Sequence, residues 1–372
     1  MRWQQLTGPI AAKGVEDTTL YIYNRLISMN DVGGQPDAVT VERYHQFHTA
    51  RHQRWPHTMN DTSTHDTKRS DDVRARLNVV SEIPDEWSRS LMRWSRWNRD
   101  QKAAANAPDA NEEVLLYQTM LGAWPLEAGE EPSFVERLKA YVVKAAREAK
   151  VYSSWVQPNE EHEKNIHAFI DAILDSSKSE HFLQHFHTLR EKLSWYGAIN
   201  SMSQTLLKIA APGVPDFYQG SELWDFSLVD PDNRRPVDVP RRHALLGEID
   251  RWQPGELLDN WKDGRLKAFV IRRALAQRIE GDYLPVHSAD ERLLAFARRS
   301  GDHWWLIVIP RFVSRLAGVG RLPIGKRVWK DSVLQFPENA PSSWRNAFTD
   351  ETVTSPLIGD ILRQFPVALL YY

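Results

Sequence analysis

Between Asp71 and about Ser194 the chain repeats its larger residues at intervals of three and four: Trp87, Leu91, Trp94 and Trp97, then Val114, Leu115, Gln118 and Leu121, then Phe134, Leu138, Tyr141 and Val142. That spacing lines one face of a helix, so more than a hundred consecutive residues must fold as packed helices. Segments of a different grammar flank the block. Ser63-Thr64-His65-Asp66-Thr67-Lys68-Arg69-Ser70 precedes it and presents an imidazole, a carboxylate and an ammonium within four residues. Pro212-Gly213-Val214-Pro215-Asp216-Phe217-Tyr218-Gln219-Gly220-Ser221-Glu222 follows it and reads as a strand bounded by turn residues and ending in polar groups. Two such strand ends suggest neighbouring strands of a (β/α) barrel, where side chains converge on one face to do chemistry.

The remaining segments are read from their punctuation. Residues 1–70 carry Gly8-Pro9, Gly33-Gly34 and Pro36 and are expected to be loop-rich, with one helical stretch near Val41 to Arg54. Ala103 to Asn111 reads as a small-residue linker and Glu127 to Pro132 as an acidic loop. A helix through Leu206-Leu207 leads to the Gly213 strand, then to the polar loop Asp230-Pro231-Asp232-Asn233-Arg234-Arg235-Pro236 and a short helix around Arg242 to Asp250. From about Leu266 the pattern is mostly β, with strands at Leu293 to Arg298, Trp304 to Ile309 and Pro366 to Leu370, and a turn at Ser300-Gly301-Asp302. A C-terminal sandwich fits that spacing.

Composition removes several functions. Lys and Arg number 47 against 49 Asp and Glu, so no excess of positive charge is present for phosphate binding, and nucleic acid is not an expected partner. No cysteine occurs, which excludes disulfides, thiolate metal sites and a cysteine nucleophile, and fits a reducing compartment. The start Met1-Arg2-Trp3-Gln4-Gln5 has no apolar signal core, and no run approaches the roughly 18 apolar residues of a membrane span. A cytoplasmic location without membrane contact is expected. The fifteen Trp suit both cores and stacking against sugar rings.

Four segments carry a resemblance: Gly8-Pro9-Ile10-Ala11-Ala12-Lys13-Gly14-Val15-Glu16-Asp17-Thr18, Ser63 to Arg76, Pro212 to Asp238, and Pro366-Val367-Ala368-Leu369-Leu370. Together they resemble the maltooligosyltrehalose synthases of the α-amylase superfamily, over the whole chain but only the C-terminal half of that family. The resemblance implies an α/β plus all-β fold: the C-terminal part of a (β/α)8 TIM barrel with a large helical insertion and a C-terminal β-sandwich domain. It divides the chain into a late barrel segment and active-site rim at 1–70, a helical insertion at 71–200, the last barrel strand and helix at 201–250, and the β domain at 251–372.

The implied chemistry is retaining transfer on an α-glucan: the reducing-end α-1,4 bond of a maltooligosaccharide becomes an α,α-1,1 bond. Such sites use a nucleophilic carboxylate, a general acid and a third carboxylate that holds the sugar's hydroxyls as the ring approaches an oxocarbenium ion. By motif position Asp66 is the third carboxylate, and His65 would contact the same hydroxyls. The family's nucleophile and acid lie upstream of the matched segments, so this chain is expected to be a fragment, inactive alone, whose partner is the missing N-terminal half. No cofactor and no metal are implied. Lys68 is expected to pair with Glu16, and Lys13 with Asp230 or Asp232; together Lys13, Glu16 and Lys68 would hold the released glucose. Tyr218, Gln219 and Glu222 are placed near the site floor, with Val214 and Phe217 packing inward. Arg234 and Arg235 are candidate sugar or carboxylate contacts, because a guanidinium binds bidentately.

Plainer readings stand beside these. Asp66 could cap the helix starting near Thr67, the lysines could form surface ion pairs, and Arg234 and Arg235 could belong to a charged rim loop. His181, His185 and His187, and likewise His45, His48 and His52, sit at helical spacing without the glutamate of a zincin motif and read as helix surface. Glu160-Glu161-His162-Glu163 reads as a helix first turn, with Trp155 before it able to face sugar. Thr58-Met59-Asn60-Asp61 is more polar than the resemblance suggests, which puts the packing of that strand in doubt. Rival functions are a non-catalytic α-glucan-binding remnant, an amylase-type glycoside hydrolase, and a helical interaction module carrying a β domain.

Overall fold

The computed structural model describes residues 2–34, 38–103 and 107–372. Two compact units are each assembled from three segments: Met1–Pro36, His65–Ser194 and Phe226–Arg235 form the first, and Asp37–Thr64, Trp195–Asp225 and Pro236–Tyr372 the second.

The first unit is helical where the three- and four-residue spacing predicts it. Its helices run Pro84–Trp97, Ala110–Ala123, Glu131–Ala149 and Glu160–Leu174, and Ser176–Ala210 begins in it. Trp94 is fully buried and meets Trp87, Tyr117 and Phe182 edge-on at 5.4–5.9 Å, the geometry ring quadrupoles favour. Ala110–Ala123 starts on a reciprocal cap: the Glu112 amide donates to Asp109 Oδ1 at 2.8 Å and the Asp109 amide to Glu112 Oε2 at 2.9 Å. The small-residue linker falls partly at 104–106 and the punctuating Pro36 within 35–37, outside the described residues.

The start of the chain departs from the loop-rich expectation. Arg2–Ile10 is α-helical, Ala11–Thr19 continues as a wider π-helix, and Leu20–Ile22 resumes the α turn. Gly8-Pro9, read as punctuation, lies inside this helix. Proline lacks an amide hydrogen and its ring crowds the carbonyl four residues back, and the change of register begins two residues after it. No residue of Arg2–Thr19 is buried.

The second unit contains both sheets. Strand β1 (Met59–Asn60) pairs in parallel with β2 (Val214–Pro215), Met59 facing Val214 and Asn60 facing Pro215. The strands β3 (Asp282–Val286), β4 (Leu293–Ser300), β5 (His303–Pro310), β6 (Trp344–Asn346), β7 (Thr352–Val353) and β8 (Ala368–Tyr371) form one antiparallel sheet in the order β3-β4-β5-β8-β6-β7. Its two-residue alternation sorts the core. Leu293, Ala295 and Ala297, with Trp304, Leu306 and Val308, join Trp329, Trp344 and Ile358 on one face. Phe296 instead meets Tyr283 at 5.0 Å and Tyr44 of the helix Val41–Arg54 at 6.4 Å. The predicted turn at Gly301 is present, with the positive φ of 61° that glycine tolerates.

This packing corrects the reading of His45 and His48 as helix surface. Both are buried, and His45 Nδ1 lies 2.7 Å from the Tyr283 hydroxyl. Burial, and then the nearby Arg51 charge, push the His48 imidazole down to about 4. The apolar sheet beneath the helix was not visible from the helix's own sequence.

Candidate active-site rim

The π-helical register of Ala11–Thr19 places Lys13 and Asp17 side by side. Thr18 Oγ1 donates to the Lys13 carbonyl at 2.6 Å and Thr19 Oγ1 to the Gly14 carbonyl at 2.8 Å, serving carbonyls five residues back. Lys13 Nζ bonds one carboxylate oxygen of Asp17, and Lys68 Nζ bonds the other at 2.9 Å. Lys68 is 2% exposed, its ammonium 6.0 Å from the Tyr21 ring and its amide 3.3 Å from Asp31 Oδ1. Burial pushes the Asp17 carboxyl up, but the hydrogen bonds from Lys13 and Lys68 outweigh it and hold the group below the usual carboxylate range.

Two expected ion pairs are thereby corrected. Lys68 pairs with Asp17 rather than Glu16, the residue before it on the same π-helix. Lys13 shares that carboxylate rather than reaching Asp230 or Asp232. Those acids have other cations: Lys144 Nζ lies 2.7 Å from Asp230 Oδ1, and Arg137 grips Asp232 through two bonds of 2.6 and 2.8 Å. Glu16 is half-buried on the same π-helix. Asp17 went unassigned in the sequence although it stands four residues after Lys13, the spacing at which helical side chains meet.

His65 and Asp66 occupy an exposed turn. The next helix is Asp71–Asn78, and Ser70 caps it by accepting from the Val73 amide. Asp66 is therefore not that cap. The Lys13 ammonium is held above its usual range by its hydrogen bond to Asp17, with lesser contributions from the Glu148 and Asp66 charges. The turn is braced from the loop 227–233: Asn233 Nδ2 donates to the His65 carbonyl at 3.1 Å, the Ser70 amide to the Ser227 carbonyl at 3.0 Å, and Arg69 pairs with Leu228 in a single antiparallel bridge. Arg69 is fully buried and reaches the Tyr141 hydroxyl at 2.8 Å. Arg76 is also buried, donating to the Trp124 carbonyl at 2.7 Å and lying 3.9 Å from the Phe226 ring centre. Arg235 Nε is 3.0 Å from Asp232 Oδ1, while Arg234 is exposed beside it.

The other predicted site residues belong to the second unit. Glu222 Oε2 accepts from Arg242 Nε at 3.0 Å, and Arg242 Nη2 donates to the Gly220 carbonyl at 2.9 Å, a partner the sequence reading missed. The Tyr218 carbonyl closes a turn by accepting from the Ser221 amide and hydroxyl, and Gln219 is exposed. Phe217 is partly buried under the Lys208 ammonium, 3.9 Å from its ring centre. Val214, expected to pack inward, is 48% exposed, since no third strand covers this parallel pair among the described residues.

The polar strand Thr58–Asp61 has a structural reason. Asn60 is buried and its Nδ2 faces the carbonyls of Lys208, Ala211 and Pro212 at 3.2–3.4 Å, tying the end of a helix to β1. Gly213 completes the crossing with φ of 133°; a Cβ there would stand 2.5 Å from the Thr58 carbonyl oxygen. Lys208 Nζ also bonds Thr62 Oγ1 at 3.0 Å. Among the described residues no cluster of three or more His, Asp or Glu is arranged to hold a metal, and no helix is long and apolar enough to cross a membrane.

Comparison with known proteins covers the whole chain. A curated protein of two Mycobacterium tuberculosis strains, named maltooligosyl trehalose synthase, is 35% identical over 378 residues, covering all of this chain and 45% of the relative. The solved maltooligosyltrehalose synthase of Arthrobacter ramosus superposes with a TM-score of 0.83 at 33% identity, over 99% of this chain and 46% of that one. The chain is similar, end to end, to a C-terminal half of maltooligosyltrehalose synthase. A solved Sulfolobus tokodaii protein, described as a hypothetical maltooligosyl trehalose synthase, agrees at a TM-score of 0.77 and 32% identity, over 100% of this chain and 46% of that one. No protein-family model matches. The chain thus spans about half the length of the maltooligosyltrehalose synthases it matches.

Proposed function

We propose that these residues supply one half of an intramolecular transglucosylase that converts the reducing-end α-1,4 bond of a maltooligosaccharide to α,α-1,1. Asp66 is the carboxylate that stabilises the oxocarbenium-like state, and His65 contacts the same sugar hydroxyls. The nucleophile and general acid come from the half of the relatives that the chain does not match. The parallel strands β1 and β2 belong to the (β/α)8 barrel of that whole, and the antiparallel sheet to a C-terminal sandwich domain.

The observation that carries this reading is the Lys13–Asp17–Lys68 cluster, which joins the segment 8–18 to the segment 63–76. A carboxylate locked between two ammonium groups holds them in fixed positions, which suits a rim that must retain a released glucose while water is kept out. Lys13, Glu16 and Lys68 form that rim; Tyr218, Gln219, Glu222, Arg234 and Arg235 are further substrate contacts. A partner half also fits the first helix, where Trp3, Leu6 and Ile10 recur at three and four residues with 52–77% exposure.

The test joins this chain to the N-terminal half of a relative and follows the reducing ends of maltopentaose. The fusion should consume them and the 372 residues alone should not. Asp66→Asn in the fusion should lower kcat by roughly a hundredfold with less effect on binding, as when one electrostatic stabiliser is removed. Lys68→Ala should raise free glucose relative to trehalose-ended product. Activity of the Asp66→Asn fusion within a few-fold of the parent would remove Asp66 from the chemistry.

A further inference from the structure

Trp155 is 54% exposed, in a loop whose backbone is held from several sides. Ser153 Oγ donates to Glu163 Oε1 at 2.6 Å and accepts from the Asn159 amide at 3.0 Å. The Ser154 amide donates to the Gln157 carbonyl at 3.2 Å and the Gln157 amide to Ser154 Oγ at 3.0 Å. The indole itself is fixed twice: its Nε1 donates to Glu148 Oε1 at 3.0 Å, and the Arg147 guanidinium carbon stands 5.0 Å from the ring centre. Arg147 is held in turn by two 2.7 Å hydrogen bonds to Glu163. An indole that is both exposed and held has lost its side-chain entropy before any ligand arrives, and an aromatic plane prepared in this way binds at lower cost.

The surroundings select the ligand. A sugar ring offers an apolar C–H face, matched by an indole plane, and a polar hydroxyl edge, matched by the Glu148 carboxylate beside the indole nitrogen. The same loop touches the rim described above. Lys150 Nζ lies 3.1 Å from Thr18 Oγ1, on the turn that carries Lys13 and Asp17. The indole and the rim lysines thus belong to one compact unit.

We infer that Trp155, oriented by Arg147 and Glu148, is a stacking platform for a glucose unit of an α-glucan chain whose end lies at the Lys13–Asp17–Lys68 rim. The inference rests on the proposed function for the identity of the glucan. Trp155 is a binding residue and takes no part in bond breaking.

Maltoheptaose binding to the full 372-residue chain, measured by titration calorimetry, tests the inference directly. Trp155→Ala should weaken binding by about tenfold, equivalent to about 1.4 kcal/mol, while Trp155→Phe, which keeps an aromatic plane, should recover most of the loss. Because Trp155 is on the surface, the unfolding midpoint of both variants should match the parent. Unchanged affinity in Trp155→Ala overturns the platform, as does a parent chain that binds no maltoheptaose at millimolar concentration. Trehalose-ended product from the fusion is a separate readout: if it forms while the alanine variant binds normally, the platform fails and the transglucosylase reading stands. If the alanine variant binds weakly and the fusion makes no such product, the reverse holds.

Discussion

The polar centre of the first unit and the sheet of the second are held together by opposite means. In the first, Lys68, Arg69 and Arg76 are at most 2% exposed, and each is fixed by named oxygens or rings: Asp17, the Tyr141 hydroxyl, the Trp124 carbonyl, the Phe226 face. In the second, the sheet cluster of Leu293, Leu306, Val308, Trp329 and their neighbours is apolar and sorted by strand alternation. Burying apolar area is favourable wherever the shapes fit. Burying a cation costs free energy unless its geometry is satisfied, so the polar centre contributes position more than stability. The contrast teaches where to expect function: in the unit whose interior is demanding about angles and distances.

The largest effect should come from the apolar side. Trp329→Ala removes a fully buried indole and also empties the bond from its Nε1 to the Pro323 carbonyl. Denaturant unfolding should show a loss of about 3–5 kcal/mol, as for large-to-small core substitutions. A loss under 1 kcal/mol would mean the sheet does not dominate the stability of its unit.

Asp17→Asn comes next, because it leaves the Lys68 ammonium buried without a counter-charge. Breaking a fully buried pair costs about 3–5 kcal/mol, but Asp17 retains 21% side-chain exposure, so about 1–3 kcal/mol is expected. Adding Lys68→Met should restore much of it. A double variant as unstable as the single one would show that the cluster is not an electrostatic unit.

His48 supplies an effect of similar or smaller size with a defined pH window. Its imidazole titrates near 6.5 in the unfolded chain and near 4 when folded. The unfolded state therefore binds more protons between those values, and stability is full above about pH 6.5 and falls as pH drops toward 4. His48→Phe should flatten that slope in unfolding midpoints measured from pH 7 to 4. The smallest change is expected of Lys13→Ala, whose side chain is 71% exposed: under about 1 kcal/mol in stability, with its consequence in the product ratio of the fusion.

Periodicity made the helices and the main strands legible, since apolar spacing is set by the chain's own geometry. Val41–Arg54 appears at the residues expected, and β4 and β5 within one or two. The first helix was missed because Gly8-Pro9 is a local stop signal that a π register can bypass. The positions of His65, Asp66 and Lys68 were readable only through the motif, and their partners were not. Asp17 was legible as a partner of Lys13 four residues before it, but its pairing with Lys68, 51 residues on, was not. Glu222 was singled out without Arg242, and His45 was assigned to the surface, because each depends on a segment distant in sequence: Arg242 lies 20 residues on and Tyr283 lies 238 residues on.

The braid of segments through the two units has a consequence for biosynthesis. The loop that braces the His65-Asp66 turn, Phe226–Arg235, is the last piece of its unit to be made, after a stretch that belongs elsewhere. At roughly 5–20 residues per second, a ribosome needs on the order of ten seconds or more to travel from the turn to the loop. Throughout that interval the turn exists without the Asn233 amide that fixes its carbonyl. The nascent helices can associate early, but the turn cannot take its braced form until the chain has left the unit and returned.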